Sequence, residues 1–405
     1  MLLKRKIIDQ ILKYIDSDDI LVLHGARQVG KSSILKYIQA ELNQQNKLNL
    51  YIDLEDSRNL DILNGGVETF LTYLVDLGFG LGEDEQKSGK IYVFIDEIQY
   101  LDNPSSFLKL LADHHKNLKL IVSGSSSFAI KTKFKDSLVG RTLEFTVYNL
   151  SFEEFLTFKS VKQDLSNIKT SKIIQEISKL YYEYVYFGGY PKIVLANDLE
   201  TKERYLQQII DTYIRRDIAN MSAVGNISKF NNLLKILANQ SGQLLNITSV
   251  ANICGLSRQT LENYLFLLEN TYVIKLLTPF SQSRNVEISK APKIFFYDTG
   301  LMHMLQFKAL NKSIMGNNFE TSVFVELAKK FGVENLNFWR TKSGNEIDFI
   351  LNLKSGILPI EVKHNFSQFR LGSMQEFLKK YQIENYLVVG LEGEKSKKQI
   401  YPWEI

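Results

Sequence analysis

Residues Gly25-Ala26-Arg27-Gln28-Val29-Gly30-Lys31-Ser32 follow the pattern G-x-x-x-x-G-K-S. The apolar run Ile20-Leu21-Val22-Leu23 precedes them, and Ser33 to Ile38 follow with helical spacing. A strand, a glycine-rich turn and a helix N-terminus together make an anion site, because successive backbone N–H groups and the positive helix end face one point. The chemistry expected there is the binding of a nucleoside triphosphate. Gly25, Arg27, Gln28, Val29, Gly30, Lys31, Ser32 and Ser33 are the expected contacts. Lys31 would reach the β- and γ-phosphates, and the Ser32 hydroxyl would join Mg²⁺.

A second pattern supports the first. Ile91-Tyr92-Val93-Phe94-Ile95-Asp96-Glu97 is a continuous apolar run ending in two carboxylates. Such a run fits a central strand of a parallel sheet, whose ligands gather at the strands' carboxyl ends. Asp96 would hold Mg²⁺ directly or through water, and Glu97 would orient or deprotonate the attacking water. The acidic pair favours hydrolysis over binding alone.

A third constellation lies near the end of the chain. Glu346-Ile347-Asp348-Phe349 and Ile360-Glu361-Val362-Lys363 read as two strands joined by a short connection at 352–357. Glu361 and Lys363 are two residues apart and so share a face of their strand. Asp348 on the neighbouring strand can meet them, and a helix over about 318–331 could add Glu320 or, as second choice, Glu326. Converging carboxylates beside a lysine are the D-x(n)-E-x-K arrangement of a metal-dependent phosphodiesterase. Asp348, Glu361 and Lys363 would be catalytic, and Glu320, Asp348 and Glu361 would hold the metal. A structural ion cluster and chance alternation on an edge strand produce the same pattern, so the residues alone leave all three readings open.

The elements that must position these groups can be read from periodicity. Strands are expected at 20–24, 48–53, 91–96, 118–123 and 142–147, with helices at 31–43, 67–77 and 104–115. This alternation predicts an α/β fold with a doubly wound parallel sheet over 1–150. The fourth strand ends in Ser123-Gly124-Ser125-Ser126, either a γ-phosphate sensor or a polar turn. Helical spacing dominates 151–225, broken at Gly188-Gly189-Tyr190-Pro191, which suits a helical lid. Residues 226–300 read as a winged helix. Ser257 caps a recognition helix that buries Leu261, Leu265 and Leu268 and exposes Ser257, Arg258, Gln259, Thr260 and Asn263. Ser281 to Asn285 would be the wing. These polar positions suit a DNA duplex or a protein partner. Residues 301–405 complete a fourth domain.

At 405 residues, with 44% hydrophobic and 12% aromatic content, the chain is long enough for several packed domains. Its single cysteine, Cys254, forms no internal disulfide and fits a reducing compartment. No apolar run approaches the roughly 18 residues of a membrane span, and the first residues lack the apolar core of a signal peptide. A cytoplasmic protein without a membrane partner is expected. The net charge of +4 is too mild to imply nucleic-acid binding by itself.

With these residues in view, the chain resembles a large prokaryotic family of P-loop ATPases with a nuclease-like C-terminal domain. The resemblance rests on Gly25 to Ser32, Phe94-Ile95-Asp96-Glu97-Ile98-Gln99, Ser123 to Ser126 and Leu138-Val139-Gly140-Arg141. It continues through Leu150-Ser151-Phe152-Glu153-Glu154-Phe155, Gly188 to Pro191, Phe338-Trp339-Arg340, Glu346 to Phe349 and Ile360 to Lys363. It implies an AAA+-like ATPase core related to the signal-transduction ATPases, then a helical lid, a winged helix and a restriction-endonuclease-like α/β domain. ATP or ADP and Mg²⁺ are the implied cofactors, DNA a possible partner and a homo-oligomer a possible state. Gly189 and Pro191 match a lid element that contacts nucleotide in such relatives, or else simply break a helix. Arg141 matches a Gly-Arg step. It would reach the γ-phosphate within the chain or across a subunit boundary, or else form a surface salt bridge. The function implied is an Mg²⁺-dependent ATPase acting on or with DNA. The alternatives are a nucleotide-controlled interaction switch whose nuclease-like fold cuts nothing, and a sequence-specific DNA-binding regulator.

Overall fold

The structure is a computed structural model that describes residues 2–80, 89–124, 138–165, 168, 170–212, 227–281, 291–308 and 316–405. Ser125 and Ser126 of the fourth-strand turn and residues 282–285 of the expected wing lie outside the described residues. The chain divides into two compact units, Met1–Tyr148 and Asn149–Ile405.

The first unit is an α/β sandwich. It runs α1 (Lys6–Leu12), β1 (Ile20–His24), α2 (Lys31–Gln44), β2 (Asn49–Asp53), α3 (Ser57–Asn64) and α4 (Val67–Asp76). It continues with β3 (Ile91–Asp96), α5 (Pro104–His114), β4 (Leu118–Gly124) and β5 (Thr142–Thr146). The strands form one parallel sheet in the order β2-β3-β4-β1-β5. Every residue of β1, β3 and β4 is buried, as expected of strands covered on both faces. Val93 and Ile95, with Leu120 and Val122, face a core shared with Phe70 and Leu74 of α4 and Phe107, Leu108 and Leu111 of α5. The alternate residues point the other way, and α2 packs against β2, β3 and β4. Pro104 opens α5 at its first turn, where a missing N–H costs nothing. Helices α1 and α3 go beyond what periodicity predicts.

The second unit begins with α6 (Phe152–Phe158), α7 (Ser171–Phe187), α8 (Pro191–Leu195) and α9 (Leu199–Gln208). Ser151 and Glu154 close a reciprocal capping box at the start of α6. Phe152, Tyr181 and Tyr184 pack edge-on and tilted into one aromatic core with Trp403. Next come α10 (Ile227–Asn239), α11 (Ile247–Cys254) and α12 (Arg258–Asn270), then an antiparallel pair, β6 (Ile274–Leu277) and β7 (Lys293–Phe296). Ser257 caps α12 by accepting from the Thr260 N–H at 3.1 Å, and Leu261, Leu265 and Leu268 are buried.

After α13 (Thr299–Phe307) and α14 (Gly316–Phe331) the chain builds a mixed sheet. Its strands are β8 (Leu336–Arg340), β9 (Glu346–Leu353), β10 (Gly356–Val362), β11 (Leu387–Val389) and β12 (Gln399–Ile400), with α15 (Gly372–Tyr381) between β10 and β11. The order is β12-β11-β10-β9-β8, antiparallel from β8 to β10 and parallel from β10 to β12. β10 is therefore the central strand, not an edge, so alternation on an edge strand does not account for Glu361 and Lys363.

Candidate functional site

The phosphate loop is set at the carboxyl end of β1 by close packing. A Cβ at Gly25 would stand 2.1 Å from the Val147 carbonyl oxygen, so only glycine lets the loop pass β5. Arg5, which the sequence did not single out, anchors the loop from outside: its guanidinium donates to the carbonyls of Val29 and Tyr148, both at 2.9 Å. Gln28 takes a left-handed φ of 63°, which is costly for a non-glycine residue and concentrates at functional turns. Lys31, Ser32 and the exposed Ser33 open α2, with Lys31 buried.

Lys31 folds back on its own loop, its Nζ donating to the carbonyls of Gly25 at 3.1 Å and Ala26 at 2.8 Å. Burial pushes its pKa down to about 8, with nearby Arg27 acting in the same direction and Glu97 and Asp96 opposing. A phosphate group would give this half-satisfied ammonium a stronger partner than two neutral carbonyls.

Asp96 ends β3 and is only 3% exposed. One of its oxygens accepts from the Ser123 hydroxyl, the other from the Tyr51 phenol at 2.6 Å. Tyr51, Asp96 and Ser123 thus form one polar chain across β2, β3 and β4, with Ser32 close enough to pull the Tyr51 phenol down against the larger upward shifts. Burial first, then Asp96, pushes the Tyr51 phenol up, which keeps it a neutral donor. Tyr51 is a site residue that sequence reasoning missed. It stands 45 residues from Asp96, and only the parallel β2–β3 pairing brings them together.

Glu97 takes a left-handed conformation, φ 59° and ψ 47°, and caps the short turn Ile98–Tyr100. Its carboxylate accepts from Gln99, and its N–H donates to the Ser123 hydroxyl at 3.3 Å. Burial first, then the charge of Glu97, pushes Glu55 up, so the carboxyl edge of the sheet carries a concentrated negative field. The donor set fits Mg²⁺ held beside a phosphate: one serine hydroxyl and one buried carboxylate, with phosphate and water oxygens for the remaining positions. Among the described residues no three His, Cys, Asp or Glu side chains form a ready-made metal cage.

Arg141 is placed elsewhere. Its carbonyl accepts from the N–H of Ile20, the first residue of β1, whereas the phosphate loop follows the last. Roughly 13 Å of strand separates these ends. The guanidinium forms a bidentate pair with Asp113 of α5, at 2.7 and 3.3 Å. Within its own chain Arg141 thus stands at the amino end of β1, in an ion pair with Asp113.

Gly189 and Pro191 lie in the second unit. Pro191 opens α8, and a Cβ at Gly189 would meet the Leu150 carbonyl at 2.4 Å. The Gly189 N–H donates to buried Asp298 at 2.8 Å, and Asp298 also caps α13 through the Leu301 N–H at 2.7 Å. The glycine is thus explained within the unit by backbone packing.

The C-terminal constellation does converge, around a partner the sequence did not nominate. Lys293 of β7 is 2% exposed and lies 3.0 Å from Glu320 of α14, 2.6 Å from Glu346 and 3.8 Å from Asp348, both of β9. Lys363 pairs with Glu361 at 2.6 Å and stands 3.9 Å from Asp348. Asp348 also accepts from the Val362 N–H at 2.8 Å. Burial, then the charge of Asp348, pushes Glu320 up to about 8 and Glu361 up to about 7. Burial pulls Lys293 down, but Glu320, Asp348 and Glu346 outweigh it and hold its pKa above the ordinary lysine value. Glu326, the alternative to Glu320, is spent elsewhere: it accepts from the Tyr184 phenol at 2.6 Å and the Phe152 N–H at 3.1 Å.

Comparison with known proteins matches these parts. Residues 17–156 match an AAA domain, 178–312 the domain of unknown function DUF8612 and 315–404 the domain of unknown function DUF4143. The uncharacterized protein MJ1544 of Methanocaldococcus jannaschii is 30% identical over 359 residues, covering 86% of this chain and 76% of that protein. An uncharacterized protein of Haemophilus influenzae is 28% identical, covering 89% of this chain and 86% of its own length. The Walker-type ATPase PABY2304 of Pyrococcus abyssi superposes loosely, at a TM-score of 0.45 and 14% identity over 75% of this chain and 96% of that one. With an AAA domain built on a five-stranded parallel sheet in its first unit, the chain belongs to the same protein family as MJ1544 of Methanocaldococcus jannaschii.

Proposed function

We propose that the protein is an Mg²⁺-dependent ATPase whose nucleotide state governs what its second unit binds. The observation that carries this reading is the convergence of Lys31, Ser32, Asp96 and Glu97 at the carboxyl edge of one parallel sheet. The backbone N–H groups of 25–32 and the Lys31 ammonium take the phosphates of ATP or ADP. Ser32 and Asp96 hold the metal, with Tyr51 and Ser123 fixing the carboxylate. Bound there, Mg²⁺ would offset the negative charge that develops on the transferred phosphate. Glu97, aimed by its left-handed backbone, orients the attacking water. Arg141 keeps a role in turnover only across a subunit boundary, in a homo-oligomer.

The second unit is read as a winged-helix-like module followed by a nuclease-like α/β domain. DNA is the proposed partner, supported by Ser257, Gln259 and Asn263, which stand exposed on the N-terminal half of α12. The ion pair between Arg258 and Glu262 at 2.8 Å offsets a positive charge of that face, which favours the competing reading of a protein partner.

Glu97→Gln separates binding from chemistry. ATP affinity should stay within about threefold of wild type while turnover falls on the order of 100-fold. A Glu97→Gln protein that hydrolyses ATP at the wild-type rate removes Glu97 from its assigned role.

A further inference from the structure

Three lysine or arginine side chains meet four carboxylates in the second unit: Lys293, Lys363 and Arg340 face Glu320, Glu346, Asp348 and Glu361. A metal-dependent phosphodiesterase would place a divalent cation among Glu320, Asp348 and Glu361, with oxygens drawn in to about 2.0–2.1 Å for Mg²⁺. Here two of these carboxylates face one buried nitrogen and the third pairs with another lysine. Glu320 Oε1 lies 3.0 Å from Lys293 Nζ, and Asp348 Oδ1 lies 3.8 Å from it. The other oxygen of Asp348 accepts from the Val362 N–H at 2.8 Å, and Glu361 Oε1 accepts from Lys363 at 2.6 Å.

We propose that the Lys293 ammonium is the resident cation of this cluster, occupying the position a divalent metal would take, so that the C-terminal domain holds no catalytic metal and cuts no nucleic acid. Lys293 is not a surface lysine that has drifted inward. Its backbone is fixed by pairing with Leu277 across β6–β7 and by a bridge to Leu244, and its side chain is almost wholly shielded from water. A metal could enter only beside this buried ammonium, against like-charge repulsion in a poorly screened interior, or by ejecting it from the carboxylates that hold it among the described residues. The cluster instead serves as an internal tie. One ammonium binds the first residue of β7 to α14 and β9, and through Asp348 to β10, fixing the hairpin that follows α12 on the mixed sheet. This assignment is independent of the ATPase reading, because none of these residues belongs to the first unit.

The test is Mn²⁺ titration of the full chain without nucleotide, followed by the paramagnetic resonance of free Mn²⁺, for wild type, Asp348→Asn, Lys293→Met and the Lys293→Met/Asp348→Asn double variant. Wild type and Asp348→Asn should titrate identically. Lys293→Met, which keeps the volume and removes the charge, should gain one Mn²⁺ that the double variant loses. A wild-type ion that disappears in Asp348→Asn overturns the proposal, and so does a folded Lys293→Met protein that gains none. Should Lys293→Met not fold, the comparison of wild type with Asp348→Asn decides alone. Failure of ATP turnover would leave these outcomes unchanged, so the two readings fail separately.

Discussion

Lys31 gains a proton-linked property from its burial. With a pKa near 8 in the free protein, it is about half protonated at pH 8, and bound phosphate must drive it to full charge. ATP binding at pH 8 should therefore take up on the order of half a proton, and almost none at pH 6.5. Calorimetry in two buffers of different ionisation enthalpy measures this directly, and equal apparent enthalpies at pH 8 would contradict it. Tyr51→Phe removes one of the two side-chain donors that hold Asp96. Turnover should fall roughly tenfold to 100-fold, as expected for one hydrogen bond to a charged group, with ATP affinity little changed. Wild-type kcat in Tyr51→Phe would show that Ser123 alone positions the carboxylate. Lys31, Ser32, Asp96 and Glu97 were legible in the sequence because each belongs to a short local pattern with a fixed chemical meaning. Tyr51, Arg5 and Lys293 carry no such local signature. Each acts across 24 or more residues of chain, through a pairing that only the fold creates.

Strands β1, β3 and β4 of the first unit were readable because burial on both faces forces continuous apolar runs. Capping residues such as Ser257 and first-turn Pro104 mark their helices for the same local reasons. Less legible was why the chain breaks at Gly188-Gly189-Tyr190-Pro191. The reason is a long-range junction: the Gly189 backbone lies against Leu150 while its N–H donates to Asp298, the cap of α13. Gly189→Ala should destabilise the second unit by about 2–4 kcal/mol, because the neighbour at 2.4 Å is backbone and cannot rotate away. Hydrogen exchange should show the loss of protection confined to residues 149–405, and protection unchanged from wild type would contradict it. Read as a lid element from resemblance, this segment has a structural requirement of its own. Arg141, at the end of a Gly-Arg step, lies in its own chain at the amino end of β1 and pairs with Asp113, whereas the phosphate loop follows the other end of that strand.

For the molecule as a whole, an AAA domain and a separate unit of helices, hairpin and mixed sheet share one chain. The Arg258–Glu262 pair offsets positive charge on the exposed face of α12, so a DNA contact there depends on fit more than field. No described helix is long and apolar enough to cross a membrane. Arg141 belongs to this scale, since a catalytic role for it requires a neighbouring copy. Arg141→Ala should leave ATP affinity unchanged, and it should slow turnover only at concentrations where sedimentation shows wild-type self-association. An effect that is independent of concentration would contradict the subunit-boundary role. The most direct test of the central claim is phosphate release from ATP by the purified full chain, with Mg²⁺ or with EDTA, beside Lys31→Ala. Mg²⁺-dependent turnover lost by at least about 100-fold in Lys31→Ala is the predicted result. Equal release by wild type and Lys31→Ala, or by wild type in EDTA, would contradict it.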